Sequence, residues 1–274
     1  LPIPEIDNNY LQIHKKGENH IRMKKTRLSL FLLLSVILLS CKGNEVKPSE
    51  IKGQRIAIDE NIEPDPEIDE FVAPFKKHLN KTLDSTLAYN PNDMVKSDGD
   101  LNTAIGNLMA DLVIDQANPI FKSRTGNEID MVLLNHGGIR AGLNKGNIST
   151  RSAYALMPFE NEIVVAELPG EKIKEMLTYL ERAKTAHPVS GIQIEMDQDY
   201  KVTSAKINGK NIDEDKTYFV ATSDYLQQGG DNMNFFKDPI QLYKVDYKLR
   251  NAIIDYFKKV DTLRVEKDNR FIRK

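Results

Sequence analysis

The chain has 274 residues, 40% of them hydrophobic, and its 38 Lys and Arg against 40 Asp and Glu leave a formal net charge of −2. Acidic and basic residues are interspersed, so there is no clustered basic surface for a phosphate backbone, and nucleic acid is excluded as a partner. Cys41 is the only cysteine, so the chain has no internal disulfide and its stability must come from a core.

Residues 1–22 are polar and irregular. Met23-Lys24-Lys25-Thr26-Arg27 then opens a basic segment followed by the apolar run Leu28 to Leu39, which is shorter than the roughly 20 residues a membrane span needs. This is the pattern of a secretory signal peptide. The run ends in Leu38-Leu39-Ser40-Cys41, which resembles the lipobox of bacterial lipoproteins. The expectation is an upstream extension over 1–22, a signal peptide over 23–40 and a mature chain starting at a lipidated Cys41, anchored to a membrane of the bacterial envelope on its periplasmic or outer face. The roughly 230 residues that follow suffice for one large domain or two small ones.

From Lys42 to about Pro66 the sequence is rich in Lys, Glu, Asp and Pro, and it is expected to be a flexible tether. A domain over 67–274 follows. Phe71, Phe75, Leu79, Leu83 and Leu87 recur every fourth residue, which predicts a helix with one apolar stripe, entered or kinked at Pro74, and His78 beside the stripe as a surface residue. A second helix is predicted over Thr103 to Ala117, with Ile105, Leu108, Met109, Leu112 and Val113 on one face. Asn107 on this helix either orients the neighbouring loop or satisfies backbone in the core.

Met131-Val132-Leu133-Leu134 reads as a strand that breaks into Asn135-His136-Gly137-Gly138-Ile139-Arg140 and returns through Met157-Pro158-Phe159. Glycines let the main chain approach a ligand, and Asn135 and Arg140 supply an amide and five N–H donors suited to an anion or a polar ring. The alternative is a tight turn in which Arg140 is solvated and Asn135 caps a loop. Further on, Ile163 to Leu168 is a β-branched run, a helix starts at Glu171, and Ser190 to Met196 alternates at period two. Asn208-Gly209 marks a hairpin, Tyr218 to Thr222 another strand, and a last helix starts near Asp246. Without strict βαβ alternation, the pattern predicts an α+β domain with a mixed β-sheet flanked by helices.

Four segments together carry a family resemblance: Ile105-Gly106-Asn107-Leu108-Met109-Ala110-Asp111, Asn135-x-Gly137-Gly138-Ile139-Arg140, Pro158-Phe159-x-Asn161, and Ala221 to Leu226 with Gly229-Gly230-Asp231. The stretch from Ile68 to Phe257 resembles the C-terminal, substrate-binding domain of the 5'-nucleotidases and UDP-sugar hydrolases. The resemblance implies that Phe159 and Tyr225 sandwich a nucleoside base, that Asp231 accepts from ribose hydroxyls, that Asn135 contacts the base and that Arg140 contacts phosphate, with Gly137 and Gly138 in the same loop. Core packing for the two rings and a solvated turn for Asp231 are the competing readings. The family also places arginines before the Thr103 helix, where this chain has Lys96-Ser97-Asp98-Gly99-Asp100. A phosphate subsite would then lean on Arg140 and Lys96, or be weakened.

Catalysis in that family rests on two metal ions held by an N-terminal metallophosphoesterase domain. Neither the Asp-x-His nor the Gly-Asn-His pattern of that superfamily occurs in these 274 residues, and no Gly-x-Ser-x-Gly elbow or metal-ligand spacing is found. The expectation is therefore no catalytic residue, metal ligand or cofactor in this chain. It would be the nucleotide-binding half of a 5'-nucleotidase, whose divalent metals reside in a separate metallophosphoesterase chain. The alternative is a non-catalytic lipoprotein that captures nucleotides or nucleosides.

Overall fold

The computed structural model describes residues 52–59 and 61–274. Cys41, the signal segment and most of the tether lie outside the described residues. The chain divides into two compact units, Leu1–Glu63 and Pro64–Lys274. In the first, residues 52–59 and 61–63 are exposed and form no helix or strand.

The second unit begins with α1, Pro66–Leu83. Asp65 caps it by accepting the Glu67 N–H at 3.0 Å, and Pro66 at the first helical position lacks only an N–H that would be unpaired there anyway. The apolar stripe is present but uncovered, since no residue of α1 is buried and Phe71 and Phe75 are 71% and 65% exposed. Leu87 does not continue the stripe. It lies in β1, Thr86–Asn90, because the helix ends at Leu83 and Arg151 ties Asp84 and Asn80 to the following domain.

Helix α2 runs Ala104–Thr125, a full two turns beyond expectation, capped by Thr103 and closed by Gly126 in the left-handed conformation, with Pro119 inside it. Strand β2, Met131–Leu133, follows. The strand β3, Gly146–Ser149, pairs antiparallel with β1, and α3 is Thr150–Leu156. Strand β4, Glu162–Pro169, leads into α4, Gly170–Ala183, and the expected period-two run is split at Gly191 into β5, Val189–Ser190, and β6, Ile192–Met196. The hairpin at Asn208-Gly209 joins β7, Val202–Ile207, to β8, Lys210–Asn211, with φ of 48° and 75° at the two turn residues. Strand β9, Thr217–Ser223, runs directly into α5, Asp224–Gln227.

The final helix departs from expectation. Asp246 lies within β10, Gln241–Lys248, and α6 starts only at Leu249, ending at Lys259. A register shift between Lys244 and Lys248, with Asp246 at φ 55°, bends this strand and hides its alternation. A short β11, Phe271–Arg273, ends the chain.

The central sheet has the order β10-β4-β9-β2-β5 and is mixed: β2 and β9 are parallel, and the remaining pairs antiparallel. Because successive strand residues face opposite ways, Val132 and Val165 join one core with Leu108 and Leu112 of α2 and Ile253 and Phe257 of α6. Met131, Leu133 and Val220 join a second core with Ile173, Met176 and Leu180 of α4 and with the smaller sheet β11-β6-β7-β8. The fold is thus the expected α+β arrangement, a mixed sheet covered on both faces.

Candidate functional site

Since β2 and β9 are parallel neighbours, their C-terminal ends open on the same edge of the sheet. Antiparallel β4 starts there too, with Ile163 opposite Ser223. Three loops therefore converge: Asn135–Arg140 after β2, the segment before β4, and α5 with the Gly229–Asn232 turn after β9. Between them lies a cavity of about 320 Å³, at the small end of the roughly 300–1,000 Å³ usual for small-molecule sites. All seven residues singled out from the sequence line it: Asn135, Gly137, Gly138, Arg140, Phe159, Tyr225 and Asp231.

Asp231 is the hub. Its carboxylate accepts the Asn135 side-chain amide at 2.7 Å and the Tyr225 hydroxyl at 2.9 Å, one on each oxygen, so it joins the β2 loop to the β9 loop. Its backbone carbonyl accepts the Tyr179 hydroxyl from α4 at 3.0 Å. The turn that presents it is left-handed, with φ of 90° at Gly229, 52° at Asp231 and 62° at Asn232. Gly230 is required for a different reason: a Cβ there would lie 2.5 Å from the Tyr225 ring. Gly138 plays the same part in the other loop, where a Cβ would meet the Asn135 amide oxygen at 2.7 Å. These glycines allow side chains to approach the main chain closely.

Phe159 and Tyr225 are 40% and 47% exposed, so neither is a core residue. Half-exposed rings on one cavity leave flat apolar surface for a ligand. The Arg140 guanidinium stands 5.8 Å from the Phe159 ring centroid, at the limit of a cation–π contact, and its backbone N–H is held by the Leu156 carbonyl at 2.9 Å. Lys96 does not share the site: it is absent from the lining, and the segment beside it is tied to the C-terminal strand region through Asp98 with Lys267 and Asp100 with Arg273. Among the described residues, Arg140 is the one cation on the lining. Asn107 is buried and does both things expected of it: it exchanges hydrogen bonds with Asn102 in the loop before the helix, and it donates to the Glu266 backbone carbonyl at 2.9 Å.

Several residues escape the sequence reading. Met157, Asn161, Ser223, Leu134 and Leu249 also line the cavity; Asn161 and Ser223 stand in segments that carry the family resemblance, whereas Leu249 carries no local signal. Arg250 is buried against the Tyr154 ring, 4.1 Å from its centroid, donates to the Phe159 carbonyl at 3.2 Å and pairs with Glu160, which fixes the loop carrying Phe159. Together with Lys248 it holds the Glu160 carboxyl down at about 2. His136 turns away from the cavity, its ring against the Ala186 carbonyl at 3.2 Å, while its N–H donates to Nδ1 of buried His187 at 3.3 Å. Burial first, then the nearby His136, pushes His187 down to about 4. Among the described residues no group of three or more His, Cys, Asp or Glu is placed to hold a metal ion.

A mixed sheet covered on both faces, with a ring-and-carboxylate cavity where its two parallel strands end, defines an α+β domain with a small-molecule-sized pocket. The family model described as "5'-nucleotidase, C-terminal domain" matches residues 85–238, and the chain belongs to that family. It is 32% identical over 217 residues to the trifunctional nucleotide phosphoesterase protein YfkN of Bacillus subtilis, covering 71% of this chain and 14% of that protein. A 5'-nucleotidase-related protein of Glossina morsitans morsitans is 24% identical over 97% of this chain and 52% of its own length. Among solved structures, the 5'-nucleotidase precursor of Thermus thermophilus superposes with a TM-score of 0.63 at 21% identity, over 75% of this chain and 42% of that one. A putative 5'-nucleotidase of Staphylococcus aureus gives 0.59 at 16% identity over 78% and 45%. The chain thus spans about half the length, or less, of these relatives.

Proposed function

We propose that this chain is the nucleotide-binding half of a 5'-nucleotidase, and that a separate metallophosphoesterase chain supplies the divalent ions that activate water and clamp the phosphoester oxygens. The observation that carries the reading is the convergence of two half-exposed rings, Phe159 and Tyr225, with Asp231, Asn135 and Arg140 on one cavity. Between the rings a base would stack. Asp231 keeps lone pairs for a ribose diol after accepting Asn135 and Tyr225, and Arg140 is the cation available to phosphate. With a single guanidinium on the lining, most of the affinity comes from the nucleoside, so AMP gains little over adenosine. Lipidation at Cys41 would hold the domain at the bacterial envelope.

The test is calorimetry with adenosine and AMP on the purified chain, an AMP hydrolysis assay with Mn²⁺, and capture of partners from envelope extract. Binding without hydrolysis, and recovery of a metallophosphoesterase, are the expected results. AMP turnover by the isolated chain, after contaminants are removed, overturns the division of labour. Binding with no such partner recovered leaves a nucleoside-capturing lipoprotein. Cys41→Ser should release the protein into the soluble fraction, and a wild-type protein already soluble and free of acyl mass refutes the anchor.

A further inference from the structure

Helix α1 presents Ile68, Phe71, Val72, Phe75 and Leu79 on a single face, all exposed, at the 3, 4 and 7 spacing of a helix–helix seam. The domain behind it does not use this face. It holds α1 by the opposite side, through Arg151 to Asn80 and Asp84. A contiguous apolar patch of this kind marks an interaction surface. The charges beside it say what covers it.

At 100° per residue, Asp69 and Lys76 flank the apolar stripe on one side, and Glu67 and Lys81 lie along the other. The acidic residues sit in the first half of the helix and the basic ones in the second. No ion pair among the described residues engages any of the four. Now place a two-fold axis across the helix beside Ala73 and Pro74. It sets Phe71 opposite Phe75, Ile68 opposite Leu79, Asp69 opposite Lys76 and Glu67 opposite Lys81. One axis pairs four of the five apolar residues with one another, leaves Val72 beside the axis itself, and sets each of the two flanking acids against a base. In an antiparallel pair related by such an axis, each flank faces the same flank of its mate, so these are true contacts of an isologous interface.

We propose that this face of α1 pairs antiparallel with the same face of a second copy of the chain. Five side chains per copy, burying about 100 Å² each, make an interface of about 1,000 Å² in total, at the lower bound for a specific association. The dimer is accordingly weak, with a dissociation constant of about 10–100 μM, and it leaves the cavity between β2, β4 and β9 untouched.

Sedimentation velocity of the chain from about 1 to 200 μM tests this. The expected result is a concentration-dependent monomer–dimer equilibrium. Phe75→Asp should abolish it. Asp69→Lys and Lys76→Glu each bring like charges together twice in the symmetric pair, and each should weaken self-association by about tenfold or more. An equimolar mixture of those two variants restores both pairs, and it should dimerise about as well as the wild type. All three substitutions lie on an exposed helix, and an unchanged melting temperature confirms folding. A wild-type chain that stays monomeric throughout, or a mixture no better than its components, overturns the proposal. A monomeric wild type whose Phe75→Asp form no longer captures a metallophosphoesterase would overturn it too, assigning the face to that partner instead.

Discussion

His187 couples the stability of the domain to pH, and the effect can be worked from its surroundings. The ring is 6% exposed, and burial with the neighbouring His136 pushes its pKa from 6.5 to about 4. Above pH 6.5 it is neutral in folded and unfolded chains and contributes no pH dependence. Below 6.5 the unfolded chain takes up a proton that the folded one refuses, so stability falls as pH falls, and the loss is complete only below about 4. A depression of that size corresponds to about 3 kcal/mol in full, of which about 2 kcal/mol is expressed by about pH 5. Protonation would also turn Nδ1 from acceptor into donor opposite the His136 N–H, loosening the turn that carries Asn135.

The assay is urea denaturation between about pH 7 and 4.5 for the wild type and for His187→Gln, which keeps an acceptor but does not titrate. Carboxylates titrate alike in both, so the difference between the curves isolates the histidine. The substitution costs some packing at every pH, and the gap should shrink by about 2 kcal/mol between about pH 7 and pH 5. Parallel curves across that window refute the reasoning.

Phe159→Ala and Tyr225→Ala should each weaken adenosine binding by about 1–3 kcal/mol, roughly ten- to a hundredfold, in calorimetry. Their melting temperatures should change far less than that of Phe257→Ala, whose fully buried ring leaves a cavity costing about 3–5 kcal/mol. Asp231→Asn should reduce affinity for adenosine more than for free adenine, and equal losses would place Asp231 outside the ribose subsite. Gly230→Ala puts a methyl 2.5 Å from the Tyr225 ring and 2.6 Å from its carbonyl; overpacking of this sort costs about 1–3 kcal/mol, and a crystal structure should show the ring displaced and adenosine binding reduced.

Local chemistry is legible in the sequence where one residue type has few alternatives. Asn208-Gly209 marks a hairpin because both turn positions need positive φ, and the segments around Asn135, Phe159, Tyr225 and Asp231 do converge on one cavity. Failures come where a period is right and its context is unknown. The every-fourth-residue stripe of α1 is real, but periodicity describes a face without saying whether the same chain covers it. The run ends at Leu83 because Leu87 lies in a strand that finds its partner in β3, a pairing about 60 residues distant that no local pattern encodes. Part of strand β10 reads as the start of a helix, since the bulge at Asp246 breaks its alternation just where helical spacing begins. Lys96 looks like a substitute for missing arginines because it is near them in sequence; in space its neighbours are claimed by Lys267 and Arg273.

The braces behind the site are the least legible part, and they hold its two loops in register. Helix α4 contributes nothing to the cavity lining, yet it positions both walls. Tyr179 donates to the Asp231 carbonyl and packs 5.6 Å from the His187 ring, and His187 in turn accepts the N–H of His136 in the Asn135 loop. Phe235, 5.5 Å from the Tyr179 ring, ties it to the second core. One helix thus fixes the distance between Asn135 and Asp231, whose direct hydrogen bond at 2.7 Å requires that both loops be held. Neither Tyr179 nor His187 sits in a recognisable motif, because a brace is defined by what it touches across the fold, while a ligand-facing residue is also constrained by the shape of what it binds. The same logic separates Arg250 from Arg140. Both stand beside an aromatic ring, but Arg250 is buried on Tyr154, spends its two terminal nitrogens on Phe159 and Glu160 and keeps its Nε buried, whereas Arg140 lines the cavity and is exposed. Of two arginines near Phe159, only the exposed one has donors that an anion in the cavity can reach.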